Sequence, residues 1–461
     1  MSKISDRGRS VPRRSLAVAV AALVVIASAC GDDDDDDGSS AATTSGDSAA
    51  TATTSAGTEG TTAAETTTAA EVPATTGASA TTGGDGAEEP SGEPIVVAGL
   101  QGEVAEGGPD FMNGMQVAVN EINASGGVAG RPIELRLFET GGTPEGAATA
   151  YREAGNDSDV LGAFLGASGA LAIRDQSETI GLPIITASGN DAIDIPVTTY
   201  VFSNSAGREY ATSAISYAVE KLGAQRIAAI HYGTDFSSQI PDAITGKCEE
   251  LGCEIVAIEE AAADAPVDAL IPQLTNMRNA DPDVYYLEGL NPNVFAAARQ
   301  LGIDAPIVSE QWLAVPALRD ACGENCEGVT FAIHKCNVPE LLQEEDELRQ
   351  LCEDYRESYL AEFDPWAGFS IYGRDAVYTY AAAVEALLEA GEEPTRDSIA
   401  AQMEQFDGSL LTTHGAIETS PESHRLTGTW TEGYIDVAIE MEDGQPTWVL
   451  APDADPEGST P

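Results

Sequence analysis

Residues Phe111 to Leu135 read FMNGMQVAVNEINASGGVAGRPIEL, and the pattern changes character midway. In the first half Phe111, Met115, Val119 and Ile122 recur three to four positions apart, which places them on one face of an α-helix. Pro109 suits the first turn of that helix, because its missing N–H would have no partner there. Gly126-Gly127 ends the helix, since glycine accepts the left-handed backbone of a C-terminal cap. From Ile133 to Phe138 apolar and polar side chains alternate, the period of a half-buried strand. Upstream, Ile95 to Leu100 is an unbroken apolar run, as expected of a strand covered on both faces. A glycine-rich loop, Gln101 to Gly108, joins that run to the helix.

The alternation continues downstream. A helix is expected near 144–154, a strand over 160–165, a helix over 170–180 and a strand from Pro183 to Thr186. Strand–helix repeats of this kind imply a parallel sheet with right-handed crossovers. A second series follows: strand Tyr200 to Phe202, helix 207–222, strand Arg226 to Tyr232, helix 236–250 and strand Cys253 to Ile258. It continues with helix 267–279, strand Asp283 to Leu287, helix 292–301 and strand Pro306 to Ser309. Residues 340 to 405 read as mostly helical. The chain from Gly415 onward reads as strands and turns, including Tyr434 to Ile439 and Thr447 to Leu450.

Three stretches carry a family resemblance: Phe111 to Leu135, Gly166-Ala-Ser-Gly-Ala170 with Gly181-Leu-Pro-Ile-Ile-Thr-Ala-Ser188, and Ile371-Tyr-Gly-Arg-Asp-Ala-Val-Tyr378. Together they resemble the type I periplasmic-binding-protein superfamily, and within it the branched-chain amino-acid (Leu/Ile/Val-type) substrate-binding proteins of ABC importers. The resemblance runs over essentially all of 95 to 450. It implies an α/β fold of two Rossmann-like lobes with parallel central sheets, joined by a three-strand hinge. One lobe would comprise 95–205 plus 333–425, and the other 206–332 plus 426–461. Open α/β sheets take ligands outside the carboxyl ends of their strands, so a cleft between the lobes is the expected site.

The same resemblance assigns site residues. Ser168 and Gly169 match a cradle for a ligand carboxylate, although the same atoms serve a plain helix N-cap. Ser188 and Asn190 match a second carboxylate-binding loop, with an Asx turn as the alternative for Asn190. Phe236 stands where the family has a pocket-lining Tyr. Asn291 falls where another aromatic residue is common. Glu310 and Gln311 straddle the acidic position that pairs with a ligand ammonium, and Trp312 is placed to wall the cleft. Gly107 occupies a position that is often aromatic.

Composition narrows the rest. From residue 95 onward 61 acidic residues face 17 basic ones, a net charge near −44. Nucleic-acid binding draws on the opposite sign, so no nucleic-acid partner is expected. At the other end, Lys3, Arg7, Arg9, Arg13 and Arg14 precede an apolar run from Leu16 that ends in Ala27-Ser28-Ala29-Cys30. This is the layout of a secretory signal. The segment resembles a bacterial lipoprotein signal (1–29), which implies lipidation of Cys30. At about 14 residues the apolar run is short for a bilayer span. Residues 30–94 hold almost no large apolar side chain and include six consecutive aspartates, Asp32 to Asp37. That composition predicts a disordered tether, with a root-mean-square span of roughly 45 Å.

Apart from Cys30 there are six cysteines, an even number in a chain expected to be exported. Their spacing favours the local pairs Cys248–Cys253, Cys322–Cys326 and Cys336–Cys352, among the 15 pairings that six cysteines allow. The four His residues show no metal-ligand spacing, and neither a metal nor a cofactor is expected. There is no Gly-x-Ser-x-Gly elbow, His-Glu-x-x-His pair or Walker loop. The expected function is therefore a monomeric, surface-anchored receptor. It would bind a branched-chain amino acid or a related small carboxylate or amide and deliver it to an ABC permease. A ligand sensor with the same fold, and less so an exported enzyme, are the alternatives.

Overall fold

A computed structural model describes residues 90–102, 108–166, 169–234 and 236–461. Cys30, the signal and tether segments, Gly107 and Ser168 lie outside the described residues.

The first half builds β1 (Ile95–Gln101), α1 (Gly108–Ala124), β2 (Ile133–Glu139), α2 (Pro144–Asn156), β3 (Val160–Leu165), α3 (Ala170–Ile180), β4 (Ile184–Thr186) and β5 (Val201–Ser203). All neighbouring strands are parallel, in the order β2-β1-β3-β4-β5. The apolar run of β1 is buried on both faces, and its period of two sorts it between two helix layers. Ile95 and Val97 join the core with Phe111, Met115 and Val119 of α1. Val96, Ala98 and Leu100 join Ala147 and Tyr151 of α2 and Ile173 of α3.

The turn after α1 explains its own sequence. The Asn123 amide donates to the Ile133 carbonyl at 2.9 Å and accepts from its N–H at 2.8 Å, so the side chain clamps the start of β2. Gly127 has φ +71°, and a Cβ there would lie 2.3 Å from the Arg131 carbonyl oxygen. Only glycine fits both demands.

The second half repeats the plan. It comprises α4 (Glu209–Glu220), β6 (Arg226–Tyr232), α5 (Ile240–Leu251), β7 (Glu254–Ala261), α6 (Val267–Asn279), β8 (Val284–Leu287), α7 (Asn293–Gln300), β9 (Ile307–Val308), α8 (Pro316–Cys322) and β10 (Thr330–His334). The order β7-β6-β8-β9-β10 matches that of the first sheet strand for strand. After β10 the chain returns to the first lobe as α9 (Glu347–Glu362), α10 (Ser370–Glu389), α11 (Arg396–Met403) and the hairpin β11 (Asp407–Thr412) and β12 (Gly415–Glu418). It then crosses back through α12 (Trp430–Gly433) to β13 (Tyr434–Glu442), which pairs antiparallel with β10, and β14 (Gln445–Leu450), which pairs antiparallel with β13. The chain thus passes between the sheets three times, after β5, after β10 and after β12. The expected α/β architecture of two lobes with a three-stranded hinge is observed, with an antiparallel edge on one sheet. β12 falls in the segment expected to hold strands and turns, whereas β11, between the helical segment and Gly415, has no counterpart in the sequence reading.

The cysteines pair as Cys248–Cys253, Cys322–Cys326 and Cys336–Cys352, with Cα atoms 4.8, 5.7 and 4.7 Å apart. These separations suit disulfides. Among the described residues no helix is long and apolar enough to cross a membrane.

Asp375 of α10 anchors the hairpin to the first lobe. Its carboxylate, 1% exposed, accepts from Thr413 Oγ1 at 2.7 Å and lies 2.7 Å from His414 Nδ1 and 3.2 Å from Arg374 Nη1. Burial pushes this carboxyl up, but the His414 hydrogen bond and the attraction of His414 and Arg374 outweigh it and hold it down at about 2. Its stabilising contribution is therefore fully present above the unfolded value of 3.8 and fades as pH falls through about 2. Asp375→Asn is expected to cost about 3 kcal/mol at pH 7, the scale of a broken buried ion pair. Urea titrations should show wild type and variant converging as pH is lowered from 4 toward 2. A constant difference across that window would show that the charge is not what matters.

Candidate functional site

A cavity of about 350 Å³ lies between the two sheets, outside the carboxyl ends of their strands. The first lobe contributes Phe111, Gly142 and Pro144, Gly169, the run Ala187-Ser188-Gly189, and Phe369 and Tyr372 of the returning helix. The second contributes Tyr210, Gly233-Thr234, Phe236, Leu290 and the run Glu310-Gln311-Trp312. Gly169, Ser188, Phe236, Glu310, Gln311 and Trp312 were all expected at the site from sequence, and the fold brings them together.

Two expected residues are not in the wall. Asn190 Oδ1 accepts from Ala192 N at 2.8 Å, so its side chain closes an Asx turn. Asn291 is buried, but its amide donates to the Ala265 carbonyl at 2.8 Å and its oxygen accepts from Asn293 N at 3.1 Å. It ties the loop before α7 to the loop after β7, and its neighbour Leu290 faces the cavity instead. Glu310 and Gln311, left open as alternatives, both reach the wall.

The walls are largely aromatic. Tyr210 meets Phe236 (ring centroids 6.1 Å apart), Phe236 meets Trp312 (6.3 Å), Trp312 meets Phe369 (5.8 Å) and Phe369 meets Tyr372 (5.8 Å). The belt closes where the Tyr372 and Tyr210 hydroxyls lie 2.9 Å apart. Gln311 Nε2 donates to the Tyr372 hydroxyl at 3.0 Å, bridging the lobes. A second bridge sits at the rim. Gln239 donates to the Gly189 carbonyl at 2.5 Å and accepts from Asp191 N at 3.2 Å. The lobes are thus in contact around the cavity.

The floor holds two buried acidic side chains. Glu310, 1% exposed, accepts from Gly289 N at 2.9 Å and Trp312 N at 3.3 Å. Behind it Glu288, 0% exposed, accepts from Tyr232 N at 3.0 Å and Ser237 Oγ at 2.5 Å. Among the described residues neither has a Lys, Arg or His partner, and no Lys, Arg or His lines the cavity. Burial pushes Glu288 up to about 8, against the hydrogen bonds it accepts from Ser237 and Tyr232. Burial and then the charge of Glu288 push Glu310 far above the usual carboxylate range. Glu288 was missed in the sequence. Its signal was an acidic residue ending the apolar run Val284-Tyr-Tyr-Leu287, where strand ends meet ligands. Among the described residues no group of three or more His, Cys, Asp or Glu is arranged to hold a metal ion.

A carboxyl raised on folding stabilises the native state fully below its unfolded value of 4.5 and ceases to as pH rises through about 8. Glu288→Gln removes that dependence. Thermal melts should show the variant gaining on wild type between about pH 4.5 and 8, with no gain at pH 4. A pH-independent difference would show that Glu288 does not hold its proton.

Two doubly wound lobes, a threefold crossing and an interlobar cavity define a solute-binding receptor fold of the type I class. The chain belongs to the periplasmic binding protein family, whose pattern matches residues 96–437. Among its curated relatives, the Leu/Ile/Val-binding protein of Escherichia coli K12 is 24% identical over 243 residues, 51% of this chain and 65% of that one. The chain thus spans just under two thirds of that relative's length. An amino acid binding protein of Pseudomonas aeruginosa is 26% identical over 303 residues, 63% of this chain and 77% of that one. Among solved structures, an extracellular ligand-binding receptor from Rhodopseudomonas palustris HaA2 superposes with a TM-score of 0.67 at 18% identity, over 78% of this chain and 100% of the other. The branched-chain amino acid transporter substrate-binding protein of Streptococcus pneumoniae, solved with isoleucine, gives 0.63 at 20% identity, over 78% and 100%.

Proposed function

We propose that this protein is the extracytoplasmic solute receptor of an ABC importer. It takes a branched-chain amino acid, or a related small carboxylate or amide, into the interlobar cavity. The observation that carries this reading is an interlobar cavity with largely aromatic walls over a buried acid, Glu310, that has no basic partner among the described residues. A zwitterion with an apolar side chain supplies what the cavity lacks. Its ammonium faces Glu310, its side chain lies within the aromatic belt, and its carboxylate lies toward Ser188 and Gly169; Ser168, which the sequence offers for the same role, lies outside the described residues. The lobes, 95–205 with 333–425 and 206–332 with 426–461, close on the ligand by hinge motion, and a membrane permease reads the closed form. The relatives named for amino-acid binding support the ligand class. Its role is capture and delivery, with no turnover. In this reading the protein acts as a monomer, exported and held at the outer face of the cytoplasmic membrane by a lipid on Cys30.

The test is a titration of the purified protein with leucine, isoleucine, valine and their amides, read by tryptophan fluorescence. Trp312 in the wall is the reporter, so Trp312→Phe should bind while losing most of the signal. Absence of saturable binding across that set, by fluorescence and by calorimetry, would refute the assignment.

A further inference from the structure

We propose that Glu288 and Glu310 act as one proton-holding unit beneath the cavity, so that an ammonium-bearing solute enters in exchange for a proton. The proposal rests on the receptor reading above and adds to it a residue, Glu288, that does not line the cavity. Glu288 is a positioning residue here: it acts on the ligand only through Glu310.

The geometry is that of two acids sealed together. Gly289 N, the residue after Glu288, donates to Glu310 Oε1 at 2.9 Å, so the Glu310 carboxyl is held at the backbone next to Glu288 and within reach of its charge. The groups packed around them offer no positive charge. From β6 comes Tyr232, whose N–H holds Glu288. From β8 comes Tyr286, buried with an unpartnered hydroxyl. From the turn before α5 comes Ser237, and from the segment after β9 come Gln311 and Trp312. His231 of β6 directs Nδ1 to the Tyr232 carbonyl. Two like charges in such a place cannot both be ionised at low cost. The pair therefore keeps at least one proton at neutral pH, in line with the upward displacement of both groups. When an ammonium arrives at Glu310, the cation replaces that proton as the balancing charge, and the proton leaves to solvent. Charge is conserved: one positive charge in, one out. Binding then strengthens as pH rises, by about tenfold per unit while one proton is displaced.

The experiment uses the full chain and two probes, L-leucine and 4-methylpentanoate, its skeleton without the amine. Infrared difference spectra of dialysed wild type minus Glu288→Gln at pH 7 should show the carbonyl stretch of a protonated carboxyl, and leucine should abolish it. Calorimetry in buffers of differing ionisation heat should give about one proton released per leucine and none with 4-methylpentanoate. In Glu288→Gln the release should fall below half and the pH slope of affinity should flatten. A missing carboxyl band, or leucine binding with no proton released, overturns the proposal and leaves the receptor reading intact. Equal proton release in the variant overturns the part given to Glu288. A carboxyl band without leucine binding overturns the amino-acid reading, and the exchange with it.

Discussion

Leucine affinity is expected to fall by about 10²- to 10³-fold when Glu310 is replaced by Gln. The glutamine keeps the shape, and its single amide oxygen can accept from one of the two backbone donors, Gly289 N and Trp312 N, that hold separate oxygens of the carboxylate. What disappears is the negative charge opposite the ammonium. Removing one partner of a buried ion pair costs about 3–5 kcal/mol, because the other charge is left uncompensated in a dry site. At about 1.4 kcal/mol per factor of ten, that is the loss stated. The free protein should tell the opposite story. With no ligand bound, Glu310 is a buried acid without a cation, so the variant should melt no lower than wild type at pH 7. Gln311→Ala provides the contrast. It removes the amide that meets the Tyr372 hydroxyl, a neutral hydrogen bond of about 1 kcal/mol, and should weaken binding by less than tenfold. Calorimetric titration of the three proteins checks all of this. A loss below fivefold in Glu310→Gln would place the ammonium elsewhere.

How much of this was visible in the sequence depends on the range of the forces that set each feature. β1, β3 and α3 were legible to the residue or nearly so, because burial on two faces or on one leaves a local period. β9, only two residues long, was legible mainly through its place in the strand–helix alternation. β11 was not. Asp407-Gly-Ser-Leu-Leu-Thr412 is exposed at alternate positions, and its position is fixed by Asp375, more than thirty residues earlier in the chain. The same division runs through the site. Gly169, Ser188 and Glu310 sit just past strand ends, and a general rule of α/β sheets points there. Asn190 and Asn291 sit past strand ends too, but short amides satisfy their own turns first. The belt of Tyr210, Phe369 and Tyr372 left no local mark, since its members come from two helices 160 residues apart and meet only when the lobes do.

Gly373→Ala is expected to destabilise the protein strongly through a single methyl group. Two helices, α1 and α10, cross with glycine at each contact. A Cβ on Gly114 would lie 1.9 Å from the Ser370 carbonyl oxygen, and one on Gly373 would lie 1.9 Å from the Phe111 carbonyl oxygen. Both obstacles are backbone, so no rotamer change relieves them and the helices must move apart. Overpacking of this kind costs about 3 kcal/mol. The damage should not stop at stability. Phe111 lies on one helix, Tyr372 on the other and Phe369 at the latter's start, and all three line the cavity. Separating the helices opens the aromatic belt on the first-lobe side, so leucine affinity should drop with the denaturation midpoint. Gly246 in α5 is the control. It too lies inside a helix, but a Cβ there meets nothing within 4 Å. Alanine at that position should stabilise by up to about 1 kcal/mol, the ordinary helix preference of alanine over glycine, and leave binding unchanged. Urea denaturation and leucine titration of both variants decide the matter. If Gly373→Ala proves as harmless as Gly246→Ala, the close crossing of α1 and α10 is not what holds the cavity wall in place.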